Sequence, residues 1–426
     1  MKPADFSHVS SVWTHSTDLV IRSGKGCHLT TVDGRQILDF TAGIGVNSTG
    51  HCHPKVVEAV REQAGKLFFT QINCVWNERL LELTDAIASV VPEHLSKVFL
   101  SNSGAEAVEA AVKLAKHATG KPNVIVLSGS FHGRTHLAMA MTTSKTNYRL
   151  KYAPLPAGIY TAPFPYALAL GMTEEEASRF CLEQLDLVLH TQTDPSETAA
   201  IVIEPIQGEG GYVVPPVGYL EGVRKLCDQY GILMVMDEIQ SGFCRSGKWF
   251  AHQYSDVKPD IMTIAKGMGS GFPISGIVYR PELEKTWIPG SHGGTYGGGP
   301  LAAAASLATI AVMKEEKLAE NAAAMGARLK DGIASLAKTN SVIGDIRGRG
   351  LMVGVELLDG KKPLPKLCSA VLAECYASDL LLISCGIRKN VVRWIPPLVA
   401  TPADIDEGLA KFGDALAAGL AKVGAA

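Results

Sequence analysis

The chain has 426 residues, too many for a single small core, so two or three domains are expected. Hydrophobic residues make up 46% and charged residues 19%, the balance of a soluble enzyme, and a formal net charge of -2 excludes a protein built to bind an acidic polymer such as nucleic acid. The nine cysteines form no CxxC pair and their number is odd, which argues against a disulfide framework or a zinc site and for a reducing, cytoplasmic setting.

The opening stretch MKPADFSHVSSVWTHS has no apolar h-region, and Asp5 together with few arginines is unlike a transit peptide. No later stretch has 18 uninterrupted apolar residues, so neither secretion nor a membrane span is expected. Residues 20–40 read as short strands. VDGR at 32–35 supplies a turn between them, since Asp33 and Gly34 tolerate positive φ. TAGIGVNSTGHCHP follows as a Gly-rich loop, and residues 55–66 read as a helix.

From about residue 95, apolar runs alternate with helical stretches. KVFLS, NVIVL, AAIVIE, ILMVM, IMTIA and SGIVYR are strand-like, and AEAVEAAVKLAKHA and residues 217–230 are helical. Runs such as VIVL and ILMVM are apolar at successive positions, as in strands buried on both faces. The alternation predicts an α/β domain with a mostly parallel sheet. After about 305 the chain turns helical, with Leu318, Met325, Leu329, Ile333 and Leu336 on one stripe. GDIRGRGLMVGVELL reads as a turn and a strand, and VVRWIPP as a short strand. Thr401, Pro402 and Asp404 start a last helix through a capping box. The predicted organisation is a large α/β domain over 51–305 and a smaller α+β domain made from residues 1–50 and 306–426.

Ligands in open α/β sheets sit beyond the carboxyl ends of the strands. Ser103, Phe131, His132, Glu204, Asp237 and Lys266 all fall at such ends. Ser103, Gly104 and Ala105 precede a helix whose free N–H groups suit a phosphate, though an ordinary N-cap reads the same way. Lys266 follows a buried strand, where burial lowers the amine's pKa and leaves it free to attack an aldehyde. A surface lysine is the plainer alternative. Asp237 ends a strand as apolar as ILMVM, so it needs a cationic partner, such as a pyridinium N–H. A nucleotide hydrolase also ends strands in carboxylates, but no GxxxxGK[ST] is present. The segments HCHP and HGRTH lack the companion ligands of a metal site, so no metal is expected.

The order NSGAEAVEAAVKLA, FHGRT, IEPIQGEGG, DEIQSGFCRSGKWF, PDIMTIAKGMGSGFPI, GGTYGGGP and IRGRGLMVGVEL resembles the class III (ω-) aminotransferases over nearly the whole chain. That resemblance implies the fold-type I architecture, with a mostly parallel seven-stranded sheet, and pyridoxal 5'-phosphate as cofactor. It implies that Lys266 forms the Schiff base with the cofactor and shuttles the proton, and that Asp237 pairs with the pyridine nitrogen. Ser103, Gly104 and Ala105 match the phosphate turn, Phe131 the stacking aromatic, with His132 following it, and Gln240 the residue near the phenolic oxygen. Thr295 matches a threonine that reaches the neighbouring subunit's phosphate, which implies a homodimer with shared sites. Arg393 and Glu209 match an arginine and the glutamate that covers it, Arg134 a clamp for a distal carboxylate, and Ile44 and Glu204 pocket positions of the 4-aminobutyrate enzymes. The expected activity is amino transfer from an ω-amino acid to a 2-oxo acid such as 2-oxoglutarate.

Acetylornithine, ornithine or amine:pyruvate transamination, or a decarboxylase or aminomutase on the same scaffold, are the alternatives. From other classes, a nicotinamide oxidoreductase using GMGSGFP and a non-catalytic scaffold protein remain. The first lacks the helix that a dinucleotide loop needs; the second does not explain Lys266 with Asp237.

Overall fold

A computed structural model describes residues 6–424; the start of the chain up to Asp5, and residues 425–426, lie outside the described residues. A seven-stranded sheet forms the centre. Its spatial order is Lys97–Ser101, Ser275–Tyr279, Ile261–Ile264, Leu233–Asp237, Thr198–Ile203, Asn123–Leu127 and Ile159–Ala162. Strand Ser275–Tyr279 runs antiparallel to both neighbours and every other pairing between neighbouring strands is parallel.

The apolar runs in the sequence have a direct structural cause. Val124, Val126, Ala200, Val202 and Val235 pack against Ala107, Val108, Ala111 and Ala115 of helix Gly104–Thr119. Their alternates Ile125, Leu127, Ile201, Ile203, Met234 and Met236 enter the core on the opposite face, with Cys181, Leu185, Leu220 and Val223 of helices Glu174–Thr191 and Tyr219–Tyr230. With both faces covered, period-2 alternation disappears from the sequence. Helix Gly104–Thr119 starts on a capping box between Ser103 and Glu106 and ends at Gly120 with φ 70°, as its composition predicts.

Two smaller sheets flank the centre. Strands Ile21–Lys25, His28–Thr31 and Gln36–Asp39 are joined by Leu380–Leu381 from the C-terminal part, which pairs parallel to the third. The VDGR turn lies between the second and third strands, with Gly34 at φ 93°. The other sheet runs Ile343–Arg349, Met352–Asp359, Val391–Trp394 and Ile383–Cys385. Here the expectation of a turn followed by one strand is corrected: GDIRGR is itself a strand, and Ile343–Arg349 and Met352–Asp359 form an antiparallel hairpin through Gly350. Its polar content hid it, because Arg347 is satisfied by Asp345 and Glu356 rather than by solvent. Helices Glu78–Ala88, Glu174–Thr191 and Pro365–Ala377 are further elements that the sequence reading did not single out.

The C-terminal sheet lies against the loop after Ile203. Arg347 donates from Nε to the Gly211 carbonyl at 2.7 Å, and the buried Arg245 guanidinium donates to the Leu351 and Pro396 carbonyls. The last helix, Pro402–Val423, begins on the expected Thr401–Asp404 capping box and packs Phe412 edge-on to Trp394 at 5.2 Å. No helix among the described residues is long and apolar enough to cross a membrane.

Gly326 sits in helix Leu318–Ala337 where a Cβ would come within 2.0 Å of the Gly350 carbonyl oxygen. Alanine gains about 1 kcal/mol of helix propensity, but backbone cannot yield as a flexible side chain would, and overpacking of this kind costs about 1–3 kcal/mol. Gly326→Ala is therefore expected to lower the urea midpoint despite its better helix propensity.

Candidate active site

The carboxyl ends of five strands meet at one cavity of about 500 Å³. Asn102, Ser103, Gly104 and Ala105 follow Lys97–Ser101. Phe131, His132 and Arg134 follow Asn123–Leu127, and Glu204 follows Thr198–Ile203. Asp237 closes Leu233–Asp237, and Lys266 follows Ile261–Ile264. Gln240 and Glu209 also line it.

Asp237 is held from three sides. Its Oδ1 accepts from Thr263 Oγ1 at 2.9 Å and from the Ile239 N–H at 3.1 Å, and its Oδ2 lies 2.6 Å from His132 Nδ1. A carboxylate oxygen accepts two bonds, so Oδ2 keeps one acceptor direction. Burial opposes charging of His132, but the hydrogen bond to Asp237 and its negative field outweigh that and raise the imidazole pKa. The HGRTH segment thus spends its first histidine on a carboxylate. Glu204 accepts from the Phe131 N–H at 3.1 Å and the Gly208 N–H at 3.0 Å, so it fixes two loops at once. Burial, with His132 opposing and Asp237 adding to it, lifts the Glu204 carboxyl to about 7.

Lys266 stands at φ 42° where the strand breaks into a single turn. Its amine has no hydrogen-bond partner among the described residues. Burial lowers its pKa, against the opposing pull of Asp237, Glu204 and Glu209, the direction that the sequence reading expected. At the start of helix Gly104–Thr119, Ser103 Oγ accepts the Glu106 N–H and Glu106 accepts from the N–H groups of Asn102 and Ser103. The N–H groups of Gly104 and Ala105 have no acceptor within the described chain and stand at the positive end of the helix dipole. Gln240 Oε1 is buried and without a donor.

Arg393, on strand Val391–Trp394, is buried behind Glu209. Its Nη2 donates to Glu209 Oε1 at 2.6 Å and to the Ser384 carbonyl at 2.9 Å, while Nε and Nη1 have no hydrogen-bond partner among the described residues. Arg134 is exposed at the cavity wall, with its guanidinium over the Tyr148 ring at 4.6 Å. Three expected residues do not line this cavity: Ile44, Thr295 and Arg393, which stands behind Glu209. Ile44 is exposed and lines a separate cleft with Ile37, Thr41, Leu381 and Ile383, because the chain from Ala42 to Gly45 makes a left-handed turn; Val46 lines the cavity instead. Thr295 is exposed on the loop before helix Pro300–Glu315. Lys145 and Tyr148, which contact Glu209, were not foreseen; only their distance from FHGRT along the chain could have drawn attention to them.

Residues 9–416 match the family described as Aminotransferase class-III. The chain is a class III aminotransferase. The 5-aminovalerate aminotransferase DavT of Pseudomonas aeruginosa is 41% identical, with 89% of each chain covered. The 4-aminobutyrate aminotransferase GabT of Escherichia coli K12 is 39% identical over 90% of each, and the acetylornithine aminotransferase of Methanosarcina mazei 41% over 91% of this chain and 89% of that one. Among solved structures, the omega transaminase of Pseudomonas jessenii in complex with PMP superposes with a TM-score of 0.90 at 27% identity, covering 95% and 94%. The fold is that of the fold-type I enzymes, and the class III aminotransferase uses pyridoxal phosphate. The residues present fit such a group: among the described residues, an amine without a hydrogen-bond partner, free N–H groups at a helix start, a carboxylate with a spare acceptor and a buried unpartnered amide oxygen face one cavity.

Glu204→Gln removes one titration. Because the Glu204 carboxyl is raised from 4.5 to about 7, the native state loses stability as pH rises between those values. The variant escapes that loss. Relative to the parent, its stability in urea, measured without cofactor, is expected to improve by roughly 2–3 kcal/mol between about pH 4.5 and about pH 8.

Proposed function

We propose that this aminotransferase moves the amino group of an ω-amino acid of the 4-aminobutyrate type to a 2-oxo acid such as 2-oxoglutarate. The observation that carries this reading is a pair of guanidinium groups at one site, with only one covered by a carboxylate. Arg134 lines the cavity uncovered and suits the distal carboxylate of an ω-amino acid. Arg393 is covered by Glu209, which leaves the reacting carbon's surroundings free of exposed positive charge. A 2-oxo acid carries a carboxylate on that carbon, and it needs Arg393 uncovered. The names of the curated relatives support the same substrate class.

Pyridoxal phosphate, when bound, supplies an aldehyde that captures the amine and a ring that accepts the electron pair left by a departing Cα proton. In the proposed assignment Lys266 binds that aldehyde and, with its neutral Nζ, takes and returns the proton. Asp237 holds a proton at the ring nitrogen through its spare Oδ2 acceptor, with His132, Thr263 and Ile239 fixing its orientation. When the group is bound, Ser103, Gly104 and Ala105 would receive the phosphate, Phe131 would stack on the ring beside His132 of the same loop, and Gln240 would meet the phenolic oxygen. Glu204 shapes the pocket wall.

The same proposal includes a homodimer in which Thr295 reaches the other subunit's phosphate. Exposed Tyr296, next to Thr295 in the chain and in ring contact with Phe69, supports a covered face there. A chain divided into a large domain at 51–305 and a small one from 1–50 and 306–426, in a cytoplasmic enzyme, completes it. The pairing of Leu380–Leu381 with Gln36–Asp39 supports the first, and nine free cysteines the second. The acetylornithine relative favours a second reading, in which the donor is an acylated diamino acid.

Half-reactions followed in the cofactor's absorbance test these assignments. Lys266→Ala is expected to abolish turnover and borohydride labelling at position 266. Arg134→Ala should raise KM for 4-aminobutyrate about tenfold or more while leaving a simple aryl amine nearly unaffected. Equal effects on both amines would remove the distal clamp, and faster reaction with acetylornithine than with 4-aminobutyrate would favour the second reading.

A further inference from the structure

Glu209 is gripped by two cations on opposite oxygens. Arg393 holds Oε1 at 2.6 Å; Lys145 holds Oε2 at 2.9 Å, assisted by Tyr148 Oη at 3.3 Å. All three charged groups are shielded, with side-chain exposures of 11% for Glu209, 13% for Lys145 and 3% for Arg393. Only Glu209 lines the cavity. Arg393 and Lys145 stand behind it. The proposed function requires Glu209 to leave Arg393 whenever an α-carboxylate must be bound. A buried carboxylate that gives up its sole counter-ion is left uncompensated, which is strongly unfavourable. Glu209 has a second counter-ion already in place, on the oxygen that Arg393 does not use.

We infer that Lys145 is a positioning residue for substrate selection: it retains the Glu209 carboxylate when Arg393 is released to an incoming 2-oxo acid or α-amino acid. This rests on the dual-substrate reading above. In that reading the gate has two paired states. With an ω-amino acid in the site, Glu209 bridges Arg393 and Lys145. With an α-carboxylate in the site, Arg393 pairs with the substrate and Glu209 stays with Lys145 and Tyr148. Without Lys145, Glu209 keeps Arg393 as its counter-ion in the first state and has none in the second. The cost therefore falls on glutamate and 2-oxoglutarate rather than on the ω-amino donor.

The test uses the holoenzyme and two half-reactions, with glutamate and with 4-aminobutyrate. Lys145→Met is expected to lower the ratio of kcat/KM for glutamate to that for 4-aminobutyrate about tenfold, mainly through KM for glutamate. Lys145→Gln, which keeps the hydrogen bond and the packing but not the charge, should give a smaller fall, and Lys145→Arg should restore the ratio. In a Glu209→Gln background, where no carboxylate needs a counter-ion, Lys145→Met should no longer change the ratio. A parallel fall in both half-reactions, or a fall that persists undiminished with Gln at 209, would overturn the inference by marking Lys145 as merely structural. Arg393→Gln separates the two levels. If it lowers the ratio and the Lys145 variants do not, only the role of Lys145 fails. If it leaves the ratio unchanged, the dual-substrate reading fails and the inference with it.

Discussion

The Asp237 carboxylate at the end of a wholly apolar strand is the constraint around which the site is built. An ionised group there is tolerable only if its oxygens are satisfied, and three neighbours from three segments do this: Thr263, the Ile239 N–H and His132. Each of those partners is itself placed by the sheet. Thr263 is the register partner of Asp237 on the adjoining strand, and His132 follows the strand two places away. Packing of the sheet on both faces thus fixes the electrostatics of its rim. The same burial that demands partners for Asp237 lowers the pKa of Lys266 and raises that of Glu204, so one cavity holds an amine shifted down, a carboxyl shifted up to about 7 and a firmly oriented carboxylate.

The loop after Ile203 links this rim to the C-terminal sheet. Glu204 at its start binds the backbone of the Phe131 loop, and Gly211 near its end accepts from Arg347. Between them Glu209 reaches Arg393 on one strand of that sheet and Lys145 on the large-sheet side. Burial opposes its ionisation, but the fields of Arg393 and Lys145 prevail and hold its carboxyl down at about 2. A displacement of the C-terminal sheet relative to the central one would move Arg393 against Glu209. In the proposed function, substrate selection and the docking of the two parts of the chain therefore share the same ion pairs.

Much of this was legible in the sequence. Unbroken apolar runs with polar residues at their ends revealed a sheet covered on both faces and the rim where chemistry gathers. The capping boxes at Ser103 and Thr401 and the turn at Asp33 and Gly34 are local chemistry, and they appear where the residues require them. The GDIRGR strand was not legible, because its charged residues are compensated by partners distant in the chain or on the facing strand. Lys145 and Tyr148 carry no local signal either: a lysine and a tyrosine in a polar loop look solvated until the fold brings Glu209 to them, more than 60 residues away in the chain.

The sequence by itself determined the alternation of strands and helices, their caps, and the identity of the amine and acid at the strand ends, because these depend on residues within a few positions of one another. Tertiary structure decided which charges meet. It turned His132 toward Asp237 and set Arg393 and Lys145 on opposite oxygens of Glu209. It also placed Ile44 in a neighbouring cleft through a left-handed turn. Ion pairs form wherever strand order and loop paths bring opposite charges out of water together, and that geometry is a property of the whole fold rather than of any short stretch of it.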